Sequence, residues 1–180
     1  METMNSRFLS LVVMLSIFLP TVKFAAESSS EGVNPYKQRP HVIGVQASSV
    51  AGLGLDYKYA FGDLLHWRAT GMAFPSKRYN STTIFYNIGS EFQFNLFQAI
   101  TGPNTFVRGY VGPAVSLWVN EYSWGEKTRN INAGGTLGFE LVIASRFNIH
   151  GDLGLGYYQY GSASNYYTTV AGGIGIGILF

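Results

Sequence analysis

Apolar and polar side chains alternate with a period of two residues along most of this chain, and the pattern is clearest at its end. The bulky side chains of the last segment share one parity: Ile174, Ile176, Ile178 and Phe180. Glycines and Leu179 hold the other parity. Because side chains alternate between the two faces of a β-strand, this segment is predicted to be a strand with one bulky apolar face and one nearly empty face.

The same alternation predicts further strands along the chain. The full set of predicted strands is 41–49, 53–61, 65–74, 82–96, 105–119, 131–143, 147–158 and 166–180. The alternation is weakest in the first and the fifth strand, and Pro113 in the fifth, which lacks a backbone donor, predicts a bulge. An even number of strands of about ten residues each predicts an all-β fold, an eight-stranded antiparallel transmembrane β-barrel with an up-and-down meander.

Charged side chains within these strands fall on the face opposite the apolar one. Seven ionisable residues and two histidines share this polar face: Asp56, Lys58, His66, Arg68, Glu91, Arg108, Glu140, His150 and Asp152. His41, at the edge of the first strand, is the exception. A Lys or Arg that faces lipid at the bilayer midplane costs ~2–4 kcal/mol. We therefore expect the apolar face to meet lipid and these nine residues to form a polar network in the lumen.

The balance of charge on the polar face bears on what the lumen does. Its three cations, among them Arg68 and Arg108, face four anions: Asp56, Glu91, Glu140 and Asp152. Unpaired buried charges are costly, so we expect the two arginines to pair with members of this acidic set. The sequence does not assign the pairs, because the stagger of the strands is unknown. Paired charges in a narrow eight-stranded barrel predict a mostly plugged lumen.

A soluble barrel of the lipocalin type would turn the apolar face inward and the polar face to water. That polar face is rich in glycine and poor in charge, which makes a poor soluble surface. Charged residues make up 12% of the chain, about half the roughly 25% of an average globular protein. There is no cysteine, which excludes disulfides and thiolate metal sites. The composition therefore favours the membrane barrel.

The N-terminus has the features of a secretory signal peptide. Arg7 precedes an apolar run over 8–19, Pro20 ends the run, and Ala25 and Ala26 offer small residues for cleavage. An uncleaved anchor helix is the alternative. The predicted division of the chain is a signal peptide at 1–26, a flexible periplasmic lead-in at 27–40 and the barrel at 41–180.

The predicted connections differ in length on the two sides of the barrel. Turns near 62–63 and 145–146 are tight, whereas the connections at 75–81, 120–130 and 159–166 are longer and more polar. Short turns on one side and long loops on the other predict a periplasmic N-terminus and loops outside the cell. The longest loop supplies the candidate contacts for an extracellular partner: Tyr122, Trp124, Lys127 and Arg129. The alternative is that its aromatic residues belong to the lipid-interface girdle.

The signal, the alternating strands and the terminal Phe180 together resemble the small bacterial outer-membrane β-barrels of the OmpA/OmpX type. The resemblance implies an outer-membrane location in a Gram-negative cell and a non-enzymatic role in surface contact or envelope integrity. It implies that the barrel assembly machinery recognises the C-terminal signal of Ile174, Ile176, Ile178 and Phe180. Outer-membrane lipid and lipopolysaccharide are the other expected partners.

Two other functions stay open, a narrow pore and a lipid-modifying outer-membrane enzyme. The lipid A deacylases carry a His two positions before a Ser on the lipid-facing side. Here His150 is followed by Gly151 and Asp152, and both His66 and His150 fall on the lumen face. The chain also lacks a phosphate-loop ending and a nucleic-acid-binding pattern. We therefore assign no catalytic, cofactor-binding or metal-binding residue, and we expect no cofactor.

Overall fold

The computed structural model describes residues 33–78, 81–122, 124–160 and 165–180. Eight strands and one short helix make up these residues: α1 (Pro35–Gln38), β1 (His41–Ser48), β2 (Gly52–Ala60), β3 (Leu65–Arg78), β4 (Ser81–Gly102), β5 (Thr105–Tyr122), β6 (Lys127–Ile143), β7 (Phe147–Tyr160) and β8 (Asn165–Leu179). In this part of the chain, no helix is both long enough and apolar enough to cross a membrane. The predicted signal peptide lies outside the described residues.

The strands form a single closed ring. Each strand pairs antiparallel with the next one along the chain, and β8 pairs with β1 to close the barrel. The closing strand meets both neighbours in register, since Ile176 lies opposite Val45 of β1 and Ile149 of β7. The prediction of an all-β, eight-stranded antiparallel barrel with up-and-down order is confirmed.

The two faces of the wall have opposite chemistry. Outward side chains are large and apolar, and Leu55, Leu153 and Val170 are 68%, 68% and 70% exposed. Inward side chains are polar and buried, and Lys58, Arg68 and Arg108 are each 0% exposed. This distribution is the reverse of a soluble barrel, in which the large apolar side chains are the buried ones.

Several strands are longer than the sequence predicted, and the predicted loops are correspondingly shorter. The strand β4 continues to Gly102, so the connection to β5 contains only Pro103 and Asn104. The strands β5 and β6 extend to Tyr122 and begin at Lys127, which leaves four residues where a loop over 120–130 was expected. The prediction failed there because it followed apolar side chains, whereas ladder hydrogen bonds continue through polar residues.

The bulge predicted at Pro113 is absent from the pairing of β5. Pro113 lies opposite Gly135 of β6 without a change of register. On the other side, the pairing with β4 is interrupted next to Pro113 and resumes in the same register at Phe94 and Val111. Proline removes a donor without adding a residue, so the ladder is interrupted but not shifted. The register shifts lie in β4 instead, between Asn95 and Phe97 and between Ile100 and Gly102.

The barrel has two distinct ends. The near end holds the β2–β3, β4–β5 and β6–β7 connections together with residues 33–40. The far end holds the β1–β2 and β5–β6 connections and the opposite ends of β3, β4, β7 and β8. The β1–β2 connection at the far end turns into the barrel, because Val50 and Ala51 are 0% and 1% exposed. They pack against a small cluster formed by Ala114, Tyr158 and Ala171. The far end of the lumen is therefore closed by an apolar turn.

Candidate functional site

A first group of charges lies in the lumen toward the near end. Lys58 Nζ is 2.7 Å from both carboxylate oxygens of Glu140. Arg108 Nη2 donates to the same carboxylate at 2.7 Å. The hydroxyl of Tyr36, in α1, donates to Glu140 and accepts from Lys58 Nζ at 2.6 Å. One buried carboxylate thus holds two buried cations. The hydroxyl of Tyr36, which belongs to the N-terminal helix and not to a strand of the wall, completes the group.

A second group surrounds Arg68 in the middle of the lumen. Its guanidinium lies 3.0 Å from Glu91 and 3.5 Å from Asp56. Gln46 accepts a further hydrogen bond from Arg68 at 3.0 Å, and Thr136 donates to Glu91 at 2.8 Å. These residues come from β1, β2, β3, β4 and β6, so the group ties opposite walls of the barrel together.

One amide joins the two groups. Gln93 Nε2 donates to Glu91 at 2.7 Å, and its carbonyl oxygen accepts from Arg108. The strand register explains the pairs, because Arg68 lies opposite Glu91 and Arg108 lies opposite Glu140. The structure thus gives Arg68 and Arg108 partners from the acidic set. The register depends on the stagger between strands, which the sequence pattern does not contain.

Three predicted lumen residues lie inside the barrel but outside the ion pairs. Asp152 is 5% exposed, and neither of its carboxylate oxygens has a hydrogen-bond partner among the described residues. His150 Nδ1 lies 3.0 Å from Asn148 Oδ1, and the His66 ring makes an edge contact with Tyr36 at 4.7 Å. Within the described residues, no group of three or more acidic or histidine side chains is arranged to hold a metal ion.

The glycines of β8 make room for these side chains. A Cβ atom at Gly173 would lie 2.8 Å from an Asp152 carboxylate oxygen and 2.7 Å from the Ser48 Cβ. At Gly175 it would overlap the His150 ring. The nearly empty face of the last strand is therefore occupied by side chains from the neighbouring strands, which explains its run of alternating glycines.

The N-terminal segment closes the near end. Asn34 caps α1 by accepting from the Tyr36 backbone N–H at 2.9 Å. Lys37 pairs with Asp63 of the β2–β3 turn at 3.1 Å, and Arg39 donates to the Ser145 carbonyl of the β6–β7 turn at 3.3 Å. The segment was predicted to be a flexible lead-in, but its residues 33–40 are fixed to two turns and fill the barrel mouth. Tyr36, an isolated aromatic in a polar segment, was the signal that the sequence analysis missed.

The candidate loop contacts occupy different positions from those expected. Tyr122 belongs to β5, and Lys127 and Arg129 belong to β6, so only Trp124 lies in a connection. Trp124 is 61% exposed and stacks on Tyr122 at 4.7 Å. Its indole donates to Glu126 at 3.0 Å. The expected long loop is a tight turn that presents one aromatic pair.

The C-terminal signal residues lie on the outward face. Ile174, Ile176 and Ile178 are 64%, 56% and 49% exposed. Phe180 stacks on His41 at 5.5 Å, and its backbone N–H donates to the His41 carbonyl at 2.9 Å. The one histidine outside the polar face therefore belongs to an outward aromatic cluster at the near end.

Comparisons with known proteins give structural likeness alone. No family model matches the chain, and no curated protein matches it. The structure of Neisserial surface protein A (NspA) is 17% identical over 77% of this chain and 91% of that chain, with a TM-score of 0.45. Two structures of Ail, the attachment invasion locus protein of Yersinia pestis, are also similar. One, in complex with the heparin analogue sucrose octasulfate, is 13% identical over 78% of this chain and 94% of that chain, with a TM-score of 0.36. The other is 12% identical over 78% and 93%, with a TM-score of 0.34. These structures resemble the chain in fold only.

Proposed function

We propose that this chain is a non-enzymatic integral β-barrel of a bacterial outer membrane, with a sealed lumen and a far end that contacts partners outside the cell. One observation carries the proposal: the large outward side chains are apolar and exposed, whereas Lys58, Arg68 and Arg108 are buried and paired with carboxylates in the interior. Such a surface is stable against lipid, and closure of the ring leaves no backbone edge for lipid to meet.

The two ends of the barrel support one direction across the membrane. The near end carries the N-terminal segment, and at the far end β3 and β4 continue well past β2, which matches a barrel whose longer extensions face outward from the cell. The far end then faces outward from the cell. The exposed apolar face of β8, together with Phe180, is the segment that the barrel assembly machinery would recognise.

The packing of the lumen supports a structural role over a pore. Tyr36 closes the near end, Val50 and Ala51 close the far end, and the ion pairs lie between them. The positions of the three histidines support a non-enzymatic role, because His66 and His150 are buried in the lumen and His41 is stacked on Phe180. The two buried histidines are out of reach of a lipid substrate.

The far end is the part of the barrel left for a partner. The Tyr122–Trp124 stack projects there from the β5–β6 turn, with Trp124 61% exposed, and aromatic side chains are enriched at binding hot spots. We propose that surface contact depends on the β5–β6 turn and not on the lumen.

The test begins with the chain expressed in a Gram-negative host. The proposal predicts heat-modifiable protein in the outer-membrane fraction, no steady conductance in planar bilayers, and lipid A masses equal to those of cells without the protein. Stable ion channels would favour the pore, and a change in lipid A mass would favour the enzyme.

The far-end proposal needs a separate variant. Replacement of residues 121–128 by a tight turn should abolish binding to host or envelope partners while the barrel stays heat-modifiable. Retained binding in this variant, together with loss of binding on mutation of His150 or Asp152, would contradict the proposal.

A further inference from the structure

A groove lies on the outward face of the wall near the far end. Its volume is about 790 Å³, within the range of small-molecule sites. The side chains that matter for its chemistry are Tyr86, Leu117, Val119, Lys127, Arg129 and Ile131. They come from β4, β5 and β6 and share the outward parity, so the groove opens toward the surroundings of the barrel and not into the lumen.

The groove has a closed floor. Val119 is 1% exposed although it lies on the outward face. It is flanked in register by Tyr86 on β4 and by Arg129 on β6. Tyr86 and Arg129 therefore cover Val119, and the apolar surface that the groove leaves accessible is that of Leu117 and Ile131.

The chemistry of the groove changes along its length. Leu117 lies opposite Ile131, Val119 opposite Arg129, and Glu121 opposite Lys127. The apolar pair lies toward the middle of the barrel, next to Ile88 and Val115, which are 61% and 45% exposed on the lipid-facing belt. The charged positions lie toward the far end. An amphipathic lipid has the same order, with its acyl chain in the membrane and its headgroup outside.

The charged end of the groove carries a net positive charge. Lys127 pairs with Glu121 at 2.9 Å. Arg129 is exposed and forms no ion pair with any acidic residue in the described ranges. A guanidinium without a carboxylate partner has the donor geometry to hold two oxygens of one phosphate. The free charge therefore selects an anionic headgroup, and phosphate is the anion that membrane lipids supply.

We propose that this groove binds one phosphorylated lipid of the outer leaflet, with the phosphate on Arg129 beside Lys127 and an acyl chain along Leu117 and Ile131. The site rests on the proposed function, because only a membrane-embedded barrel meets such a lipid. Arg129 supplies the charge recognition, and the apolar half of the groove distinguishes a lipid from a free phosphate ion.

The test uses the full barrel refolded in a neutral detergent, with phosphatidic acid, the matching diacylglycerol and inorganic phosphate as probes. Native mass spectrometry measures the bound copies of each. We expect R129Q to bind phosphatidic acid about tenfold more weakly, the loss of one charge-assisted contact. R129K should recover most of the affinity, and binding of diacylglycerol should be equal in all variants. The matched control is R146Q, which removes an exposed cation from the near end.

Four results would overturn the proposal. These are unchanged phosphatidic acid binding in R129Q, an equal loss in R146Q, equal affinity of the parent for diacylglycerol, and displacement of phosphatidic acid by inorganic phosphate at the same concentration. Failure of the proposed function has a different signature, since the parent would then fail to become heat-modifiable in vesicles before any probe is added. Each variant is checked for heat-modifiability first, and R129E, with an expected larger loss, provides a second variant if R129Q fails to fold.

Discussion

The near and far halves of the barrel interior are held together in different ways. The near half, from its mouth to the middle of the lumen, contains ion pairs around Glu140 and Glu91, all fully buried. The described inward positions of the far half are uncharged except for Asp152, which lies level with Ser48 at the boundary between the halves, and amides hold the β1–β2 hairpin there. Asn87 accepts from the Leu53 backbone N–H at 2.7 Å, and Asn132 donates to the Ser49 carbonyl at 3.1 Å.

This difference matches the surroundings of each half. Strands β3–β8 contain 14–22 residues and extend well past the ends of β1 and β2, which contain 8 and 9. About ten residues suffice to cross the hydrocarbon layer, so the extended ends lie in water. Cations surrounded by the membrane need carboxylate partners inside the barrel. In the far half, which extends into water, single hydrogen bonds from asparagine side chains are sufficient to hold the β1–β2 hairpin.

The largest decrease in the free energy of unfolding is expected from E140Q. The variant removes the carboxylate shared by Lys58 and Arg108 and leaves two buried cations without it. Breaking a buried pair in this way costs about 3–5 kcal/mol. Urea unfolding of the barrel in vesicles measures the loss. The matched control is E121Q, which breaks the surface pair with Lys127 and should cost about 1 kcal/mol or less. Equal losses in the two variants would show that the near half does not depend on its charges.

A smaller decrease in the free energy of unfolding is expected from Y36F. The ring stays in place, with Lys58 Nζ 4.8 Å from its centroid, but the hydroxyl that contacts Lys58, Glu140 and Asn148 is removed. Hydrogen bonds to charged groups contribute about 1.5–3 kcal/mol. The same unfolding experiment should place Y36F between the parent and E140Q. A variant as stable as the parent would mean that α1 fills the mouth without stabilising the ion pairs.

In the far half, N132A should cost about 1 kcal/mol, the contribution of one ordinary hydrogen bond. It removes the amide that donates to Ser49 and leaves the charges of the near half unchanged. A decrease in unfolding free energy as large as that of E140Q would show that the far half depends on its hydrogen bonds as strongly as the near half depends on its ion pairs.

The smallest effect is expected from W124A on the surface of the far end. Trp124 stacks on Tyr122 but is mostly exposed, so unfolding should change by no more than about 0.5 kcal/mol. Partner binding is the property that this variant should alter. A large loss of stability would make the aromatic pair a structural element of the turn.

The sequence predicted the strands and their polar interior, but not the ends of the strands or the residues that close the two mouths of the barrel. In the strands, the alternation of residues such as Leu137, Phe139 and Glu140 was sufficient to predict the ring and its polar interior. The far ends were missed because their outward residues are no longer apolar. The ion-pair partners were missed because they depend on strand stagger. Tyr36 and Val50 lie outside any strand, and their positions follow from the space left at the two mouths of the barrel.

The central claim is that one face of each strand meets lipid while the other is sealed inside. The chain has no cysteine, so single cysteines can report on neighbouring residues of β6. Leu137 is 58% exposed and points outward, whereas Thr136 is 1% exposed and points inward. In barrels folded into vesicles, L137C should react with a lipid-soluble maleimide and not with a water-soluble one, and T136C should react with neither. Reaction of T136C with the lipid-soluble reagent, or of L137C with the water-soluble reagent, would contradict the account.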